Sequence, residues 1–534
     1  MNTFGILMII LGLGNCGSNN GNSEPNNEGN HVAHNSSLTF YISPNGSNSN
    51  PGTSDRPWRT FGGAIPKLHP GDTLILKDGT YTKSNTGLPY IICSSSGGTY
   101  AKHGTETQHI TIKAENERKA LLKSDGSVKA FDMRYCKFWD IEGLHVETSD
   151  FDTGNQSDQI STFQIMYSNH INVRKVLVTK HNRLVKGIPF AITYSDNILV
   201  EDSEVYYAIA HLINCYGSTR CIFRRVYVNA RGWQPHPDRI RSIGDISAVF
   251  YGSSNSIMEN VVVEGDDEIS GCPDCGSQGM QIHSDAVGNM ILGSIAINTN
   301  INGYRLDSRA VSKNLVKKTV LQNIVSYSNH DRGGFGSFVQ LGAVNTQMEN
   351  VSIIDASGSS TARGLTLDGR CAACGNGQPT NTSFHGENIL SVGGSPAFQG
   401  FFVSSKWPIL GGWDIEYTNA FNWTTAYDPT SGDAYGSFSY NKSTDPGLGG
   451  CIIYIPDSSP MKGAGKNGKD IGANVIYRYE DGLLTNEKLW DQTTGQFPCG
   501  AVVDGVNDDL NFPDSSCINV HKRLNVGVNG CPIP

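Results

Sequence analysis

Short apolar runs recur in pairs between residues 141 and 391, with a small residue or an asparagine between the two runs. Examples are residues 141–146, 200–205, 223–228 and 258–263. From Val173 the equivalent positions follow in steps of 27, 23, 35, 34, 29, 27 and 38 residues, at Val200, Phe223, Met258, Leu292, Leu321, Met348 and Gly386. Such a repeat predicts stacked units, because no single unit can bury its apolar face alone. The runs are of strand length and are joined by turns, so the pattern predicts an all-β parallel β-helix.

Both ends of the repeat carry motifs that resemble a known family. Residues 40–81 contain Ser43-Pro44-Asn45-Gly46, an amphipathic stretch with Phe61, Ile65 and Leu68, and Pro70-Gly71-Asp72-Thr73. Near the other end lie Asp445-Pro446-Gly447 and Asp470-Ile471-Gly472. This order resembles bacterial right-handed parallel β-helix proteins of the polysaccharide-lyase, pectate-lyase-like type. The resemblance implies a right-handed solenoid whose amphipathic stretch is a capping helix, which covers backbone donors and apolar rungs of the first coil.

The amino terminus indicates export from the cytosol. Residues 4–13 are apolar but too few to span a bilayer, and Cys16 is followed by a polar tract rich in Asn, Gly and Ser. This resembles a bacterial lipoprotein signal with Cys16 as the lipidated residue; the alternative is an ordinary secretory signal. The predicted divisions are a signal (1–16), a flexible tether (17–37), the capped β-helix (38–476) and a cysteine-containing carboxy-terminal cap or tail (477–534). We expect an extracytoplasmic, membrane-anchored protein, periplasmic or cell-surface.

The charge and the cysteines narrow the partners and the compartment. A net charge of −9 argues against nucleic-acid binding. We expect a monomer that binds an acidic polysaccharide and contacts a membrane only through its lipid anchor. Without Cys16, 12 of the 13 cysteines remain, an even number typical of disulfides. Cys272/Cys275 and Cys371/Cys374 favour two local disulfides over one zinc site, because the repeat places them at different edges. Cys451, Cys499, Cys517 and Cys531 are predicted to pin the tail, with their pairing open.

Two neighbouring coils align without a gap and concentrate chemically active residues. Residues 279–286 match residues 303–310, which lie 24 positions later. Alternation along a strand predicts that Ile282 and Leu306 face the core. The outward-facing residues are then Gln281 and His283 beside Arg305, Asp307 and Arg309, with Tyr251 before His283 and Tyr194 and Tyr167 further along. Arg can bind a uronate carboxylate with two hydrogen bonds, and Tyr offers a flat face to a sugar. The alternative is a set of complementary pairs on an exposed sheet.

Three turns add further candidates. Asp266, Asp267 and Glu268 form an acidic turn that is either a solvated loop or a set of oxygen ligands suited to Ca²⁺. The resemblance implies the second reading, since calcium-dependent lyases of this type hold the metal against the uronate. Trp233, His236 and His330 lie in two other polar turns and are candidate walls of a sugar groove, or ordinary turn residues.

The combined prediction is a lyase that cleaves a uronate-containing polysaccharide by β-elimination. Arg305 would act as base or carboxylate clamp, with His283 and Asp307 assisting and Ca²⁺ as the candidate cofactor. The guanidinium pKa exceeds about 12, so its role as base comes from the resemblance alone. Asn298-Thr299-Asn300 and Gln234-Pro235-His236 are incomplete versions of the hydrolase and epimerase motifs of this fold. The main alternative is a non-catalytic surface lipoprotein, or adhesin, that binds glycans or host matrix.

Overall fold

The computed structural model describes residues 37–93, 101–149, 161–179, 188–206, 211–230, 245–265, 277–284, 286–299, 302–307, 318–328, 337–341, 345–356, 362–368, 382–404, 409–428, 435–506, 516–527 and 530–534. The predicted lipidation at Cys16 lies outside these residues and stays a prediction. No helix among the residues that the structure describes is long and apolar enough to cross a membrane.

Three parallel sheets wind into the predicted right-handed parallel β-helix. Sheet 1 contains β4 (Tyr90–Ile92), β7 (Phe131–Arg134), β10 (Phe163–Met166), β13 (Phe190–Thr193), β16 (Ile213–Tyr216), β19 (Asp245–Tyr251), β22 (Ser277–His283), β25 (Asn302–Asp307), β27 (Ser337–Leu341) and β29 (Arg363–Leu367). Sheet 2 contains β1 (Thr39–Ile42), β2 (Thr73–Leu76), β5 (Ile110–Ala114), β8 (Lys137–Glu142), β11 (Asn169–Arg174), β14 (Asp196–Glu201), β17 (Thr219–Arg224), β20 (Ile257–Glu259) and β23 (Met290–Leu292). Each strand pairs with the equivalent strand one coil away, so backbone groups are satisfied between coils.

Sheet 3 completes the coil. It contains β3 (Gly79–Thr82), β6 (Ala120–Ser124), β9 (His145–Thr148), β12 (Leu177–Thr179), β15 (Glu204–Tyr206), β18 (Tyr227–Asn229), β21 (Val262–Glu264) and β24 (Ile295–Ile297). The later strands are longer and pass from one sheet into the next: β26 (Thr319–Ser328), β28 (Thr346–Asp355), β30 (Phe384–Val403) and β31 (Trp413–Asp428). The last parallel strand is β32 (Gly436–Lys442), which pairs with β31.

The small or asparagine position of the repeat is the turn between sheets 2 and 3. At this turn the backbone is left-handed in successive coils, with positive φ angles at Gly143, Lys175, Asp202, Arg225, Asn260, Gly293, Asn323 and Asn350. Asparagine is favoured there because its short polar side chain tolerates this conformation at low cost. The turn thus explains the most regular feature of the sequence pattern.

The core follows the predicted alternation, with one shift of register. Ile282 and Leu306 are each 1% exposed, as predicted. The alignment of β22 with β25 is also confirmed, since Gln281 pairs with Arg305 and His283 with Asp307. The step at Leu292 was wrong by one residue, because Met258 pairs with Ile291 instead. All three residues of β23 are apolar, so alternation could not show that Leu292 points outward against Tyr479.

The predicted cap is present at the amino-terminal end. A short helix, α1 (Phe61–Ala64), is followed by a 3-10 turn at Ile65–Lys67. The Thr60 side chain accepts a hydrogen bond from the backbone N–H of Gly63 and caps the helix. Phe61, Ile65 and Leu68 are buried in the main core, so the amphipathic pattern correctly identified the face that closes the first coil.

After Lys442 the chain runs back along the turn between sheets 2 and 3. The sequence motifs place the end of the β-helix at residue 476. In the structure the last parallel strand ends earlier, at Lys442. The tail, defined here as residues 443–534, is held by turn asparagines: Asn388 accepts from the backbone N–H of Lys466, Asn350 donates to the Gly472 carbonyl, and Asn260 accepts from the Tyr479 N–H. Its regular elements are the antiparallel hairpin β33 (Tyr477–Glu480) and β34 (Leu483–Lys488), two 3-10 turns (Lys466–Gly468 and Cys517–Asn519) and α2 (Val520–Arg523).

Disulfides pin the tail, as predicted. Cys451 is bonded to Cys531 and Cys499 to Cys517, so all four predicted cysteines close the tail on itself. Two more disulfides, Cys93–Cys136 and Cys215–Cys221, lie within the solenoid. The two predicted local disulfides, at Cys272/Cys275 and Cys371/Cys374, fall outside the described residues.

Candidate functional site

The outward face of sheet 1 carries two rows of side chains that run along the solenoid. Strand pairing places Asp132, Gln164, Ala191, Asn214, Val249, Gln281 and Arg305 in one row. The second row holds Arg134, Met166, Thr193, Tyr216, Tyr251 and His283, and the backbone register continues from His283 to Asp307. Parallel neighbours stand about 4.8 Å apart, so each row is a continuous ladder.

Arg305 lies toward the carboxy-terminal end of the first row. Its Nη1 donates a hydrogen bond of 3.2 Å to Oε1 of Gln278, and its side chain is partly exposed. Gln281 and Gln340 are its register partners on either side. Arg305 is thus a partly exposed cation on the outward face of sheet 1, and a guanidinium can bind a carboxylate with two hydrogen bonds.

Gln281 and His283 are on the outward side but are not exposed, which corrects the prediction of an open sheet face. Their exposures are 1% and 5%. Nε2 of Gln281 lies 3.4 Å from Nδ1 of His283, and the imidazole packs edge-on against Tyr251 with ring centroids 4.6 Å apart. Oε1 of Gln281 is buried without a hydrogen-bond partner among the described residues. Alternation along a strand decides only the side of the sheet, and tertiary packing decides whether that side reaches solvent.

A cleft of about 550 Å³ opens over the same face, on the amino-terminal side of His283. It is lined by Ser161, Gln164, Met166, Ile188, Ala191, Thr193, His211, Asn214, Tyr216 and Tyr251. Only Tyr251 was predicted as a site residue. Gln164, Asn214 and Tyr216 could have been found by extending the alignment of 279–286 back through earlier coils, whereas His211 precedes its strand and no repeat identifies it.

A row of tyrosines borders this cleft. Ring centroids are 5.2 Å apart for Tyr135–Tyr167 and 5.5 Å for both Tyr167–Tyr194 and Tyr194–Tyr216, and the row continues to Tyr251 at 5.2 Å. The hydrogen bond with Tyr194 is the main contact that raises the pKa of Tyr216 above its ordinary value, so this phenol stays neutral near neutral pH. The predicted alignment of Tyr251 with His283 is confirmed by their pairing.

The charged residues at the amino-terminal end of the face are paired with one another. Arg134 donates to both carboxylate oxygens of Asp132, at 3.0 and 2.8 Å, and Lys129 lies 3.7 Å from the same carboxylate. The hydrogen bonds that Arg134 donates to Asp132 raise the pKa of Arg134 further above its ordinary value. The negative charge of Asp132 is therefore balanced by these cations, and this end of the face is polar rather than acidic.

The remaining predicted site residues lie outside the described part of the chain. They are Trp233, His236, Arg309, His330 and the acidic turn Asp266, Asp267 and Glu268. Glu264, just before that turn, is fully buried and pairs with Arg523 of the tail and the Tyr227 hydroxyl. Among the described residues no group of three His, Cys, Asp or Glu side chains is placed to hold a metal ion. The predicted Ca²⁺ ligands therefore stay a prediction.

Comparisons with known proteins agree with the fold. Residues 40–218 match the family model described as the Pel9A-like right-handed β-helix region. The chain is 24% identical over 330 residues to pectate lyase L of Dickeya dadantii (strain 3937). This alignment covers 59% of this chain and 71% of that protein. Pectate lyase L of Dickeya chrysanthemi is 35% identical over 83 residues, 16% of this chain and 18% of that one. The crystal structure of pectate lyase Pel9A aligns with a TM-score of 0.40 and 14% identity, covering 82% of this chain and 96% of that chain.

Proposed function

We propose that this pectate-lyase-like β-helix protein is a polysaccharide lyase that cleaves a uronate-containing chain by β-elimination on the outward face of sheet 1. The placement of Arg305 on the same outward face as the cleft, in register with Gln281 and two strands beyond Val249, is the observation that carries the proposal. The similarity to two proteins named pectate lyase L supports the reaction class and an acidic polysaccharide as substrate.

β-Elimination places three demands on the site. The C6 carboxylate must be neutralised, a base must remove the proton from C5, and the glycosidic oxygen at C4 must receive a proton as its bond breaks. The electrons of the C5–H bond then form the C4=C5 double bond, and the chain is cut without water. The products are one unsaturated end and one ordinary end.

In this proposal Arg305 meets the first demand. A guanidinium is planar and always charged, so it binds a carboxylate with two parallel hydrogen bonds and stabilises the negative charge that builds up as C5 loses its proton. Its contact with Gln278 orients the guanidinium group. The second role of Arg305, as the base that accepts the C5 proton, comes from the family resemblance alone.

His283 and Asp307 are the proposed assisting groups, and the two pair across neighbouring strands. His283 is held by Gln281 and by the ring of Tyr251, so its position is fixed before substrate arrives. Ca²⁺ at the acidic turn would supply further positive charge to the substrate carboxylate. We keep that metal as a proposal, with Asp266, Asp267 and Glu268 as its candidate ligands.

The test is a panel of pectate, alginate and glycosaminoglycan chains, followed by ultraviolet absorbance. Elimination creates a conjugated double bond, so absorbance rises on the substrate class that the enzyme cleaves. New reducing ends without absorbance would replace elimination by hydrolysis. Neither signal on any chain would overturn the lyase proposal and favour a glycan-binding surface protein, which the exposed tyrosines on sheet 1 also suit.

We also propose that the protein is exported and anchored through lipid on Cys16, on the basis of the apolar run and the polar tract around it. The test is detergent phase partitioning of the protein made in a bacterial host. Cys16→Ser should move it from the detergent phase to the aqueous phase, and an unchanged distribution would contradict the anchor.

A further inference from the structure

A row of exposed tyrosines leads away from the proposed reaction site along four successive coils. Tyr135, Tyr167, Tyr194 and Tyr216 are 49%, 45%, 49% and 37% exposed, although tyrosine usually buries most of its ring. Their rings pack on one another, nearly parallel from Tyr135 to Tyr194. The stacked faces are therefore occupied within the row, and what the row offers to a ligand is a line of ring edges and hydroxyl groups.

The backbone conformation at three of these positions disfavours a bulky residue such as tyrosine. Tyr135, Tyr167 and Tyr194 have φ angles of 60°, 52° and 48°, in the left-handed region that favours glycine or asparagine. A bulky residue is strained in this conformation, and such strain is often found at ligand-binding positions. In the next coil Gly217 occupies the turn, and the row continues one residue earlier at Tyr216, because a side chain at Gly217 would meet the Tyr194 ring at 2.7 Å. The row is thus continuous despite a change of position.

The cleft beside the row contains a buried acceptor, the side-chain oxygen of Asn214. Asn214 is 4% exposed and lines the cleft, and its Oδ1 has no hydrogen-bond partner among the described residues. A buried acceptor without a donor is destabilising. A ligand that places a hydroxyl group in the cleft would supply the missing donor.

We propose that the tyrosine row and the Asn214 cleft are binding subsites for a polysaccharide chain that lies parallel to the solenoid axis. This inference rests on the proposed function, because it places these subsites on one side of the bond that Arg305 addresses. A pyranose chain carries hydroxyl groups at a regular repeat, and the tyrosines present theirs once per coil, about 4.8 Å apart. The amide oxygen of Asn214 accepts a sugar hydroxyl, and the phenols donate to or accept from neighbouring ones.

The proposal predicts how activity depends on chain length. A short oligosaccharide reaches Arg305 but not Tyr167, whereas a long chain contacts the whole row. Because remote contacts add binding energy, kcat/KM should rise with each added sugar until the row is filled. A lyase without these subsites would reach its full kcat/KM on short chains.

Binding is tested apart from cleavage, by affinity electrophoresis of an Arg305→Ala protein through gels that contain polygalacturonate, alginate or hyaluronan. Tyr194→Phe keeps the ring and its stacking but removes the hydroxyl, and Asn214→Ala removes the unused acceptor. Each change should weaken retardation about fivefold in apparent Kd on the polymer that binds, the equivalent of one neutral hydrogen bond. Tm should stay unchanged in Tyr194→Phe.

Tyr440 provides the matched control. It is 67% exposed, has a φ of 54° and stacks on Tyr417 at 4.5 Å, but it lies in β32, away from sheet 1. Tyr440→Phe should leave retardation unchanged. Equal retardation of all the variants, or no retardation on any of the three polymers, overturns the inference. If retardation depends on Tyr194 and Asn214 while the protein with Arg305 intact shows no elimination on any chain, the lyase function is overturned and the subsites stand.

Discussion

Two surfaces of the same solenoid carry dense polar side chains and use them in opposite ways. Where the tail crosses β17 and β20, Arg224 donates to Glu201 at 3.2 Å and to Glu259 at 2.5 Å, and also to Asp481 of the tail. On sheet 1 the buried oxygens of Asn214 and Gln281 have no hydrogen-bond partner among the described residues. The ion pairs of the first surface hold the tail to the solenoid, and we propose that the two oxygens on sheet 1 accept hydrogen bonds from a ligand.

The same contrast applies to the charges. Burial alone would raise the pKa of Glu201, but Arg225, Arg174 and Arg224 together lower it below its ordinary value. The ionised carboxylate of Glu201 therefore stabilises the fold through these arginines. Arg305 on sheet 1, by contrast, donates to the neutral amide of Gln278. A residue's chemical type therefore says little about its role until its neighbours are known.

The largest expected effect is on the ligand face. Arg305→Ala should lower kcat/KM for elimination about a thousandfold, because it removes the charge that stabilises the transition state. The ultraviolet assay measures this. Arg305→Lys keeps the charge but not the paired hydrogen bonds, so it should recover only part of the loss.

Arg363→Ala is the matched control for Arg305. Arg363 also lies in sheet 1 and also donates to a glutamine, with Nε 2.8 Å from Oε1 of Gln399. The Arg363→Ala protein should keep most of the elimination activity. If Arg305→Ala retained full activity, or if both variants lost it equally, Arg305 would not be the carboxylate-binding group.

The second prediction concerns the acidic turn. Removing Ca²⁺ with a chelator should lower the rate of elimination about a hundredfold or more. A bound cation stabilises the negative charge that develops in the transition state by several kcal/mol. Asp266→Asn combined with Asp267→Asn should have the same effect without chelator, and added Ca²⁺ should not restore it. Activity that is indifferent to chelator would remove the metal from the mechanism.

The third prediction concerns the ion pairs of Arg224 on the structural surface. Arg224→Met should lower the free energy of unfolding by about 3–5 kcal/mol, because it leaves the buried charges of Glu201 and Glu259 without their shared partner. Urea denaturation measures the change, and activity per folded molecule should be retained.

Arg220→Met is the comparison for Arg224→Met. The Arg220 side chain is 54% exposed and pairs with Asp196, so its loss should cost only about 0–1 kcal/mol. Equal destabilisation by the two changes would show that burial does not separate these ion pairs.

The smallest expected effect is on the pH dependence of stability. The folded pKa of Glu201 is below its ordinary value of 4.5, so its stabilising contribution is complete above pH 4.5 and is lost as pH falls below that value. Glu201→Gln should therefore flatten the decline of unfolding free energy in acid. An unchanged decline in urea titrations below pH 4.5 would assign it to other carboxylates.

The repeat made most of the fold predictable. Paired apolar runs separated by a left-handed turn specify both the strands and the stacking, and Gln281, His283, Arg305 and Asp307 fell into the predicted register. The prediction failed where the pattern is uniform. β23 has no polar residue to mark its outward side, and Leu292 was placed inward although it contacts Tyr479.

The candidate site was predictable only in part, because alternation reports a direction and not a surrounding. The sequence could place Gln281 and His283 on the outward side, but not show that both are buried there. Nor could it show that Asn214 and Tyr216 join Tyr251 around one cleft, since these residues are separated by coils of unequal length.

What the sequence determined by itself was the solenoid, its cap and the outward positions of sheet 1, because these depend on local periodicity and on turn conformation. Only the tertiary structure decided the course of the tail, the burial of the charged residues it covers and the assembly of the tyrosine row with the Asn214 cleft. Those features depend on contacts between residues up to 384 positions apart, as between Glu117 and Ala501. Such contacts leave no period in the chain, so the sequence alone could not show which polar groups hold the fold and which we propose bind a ligand.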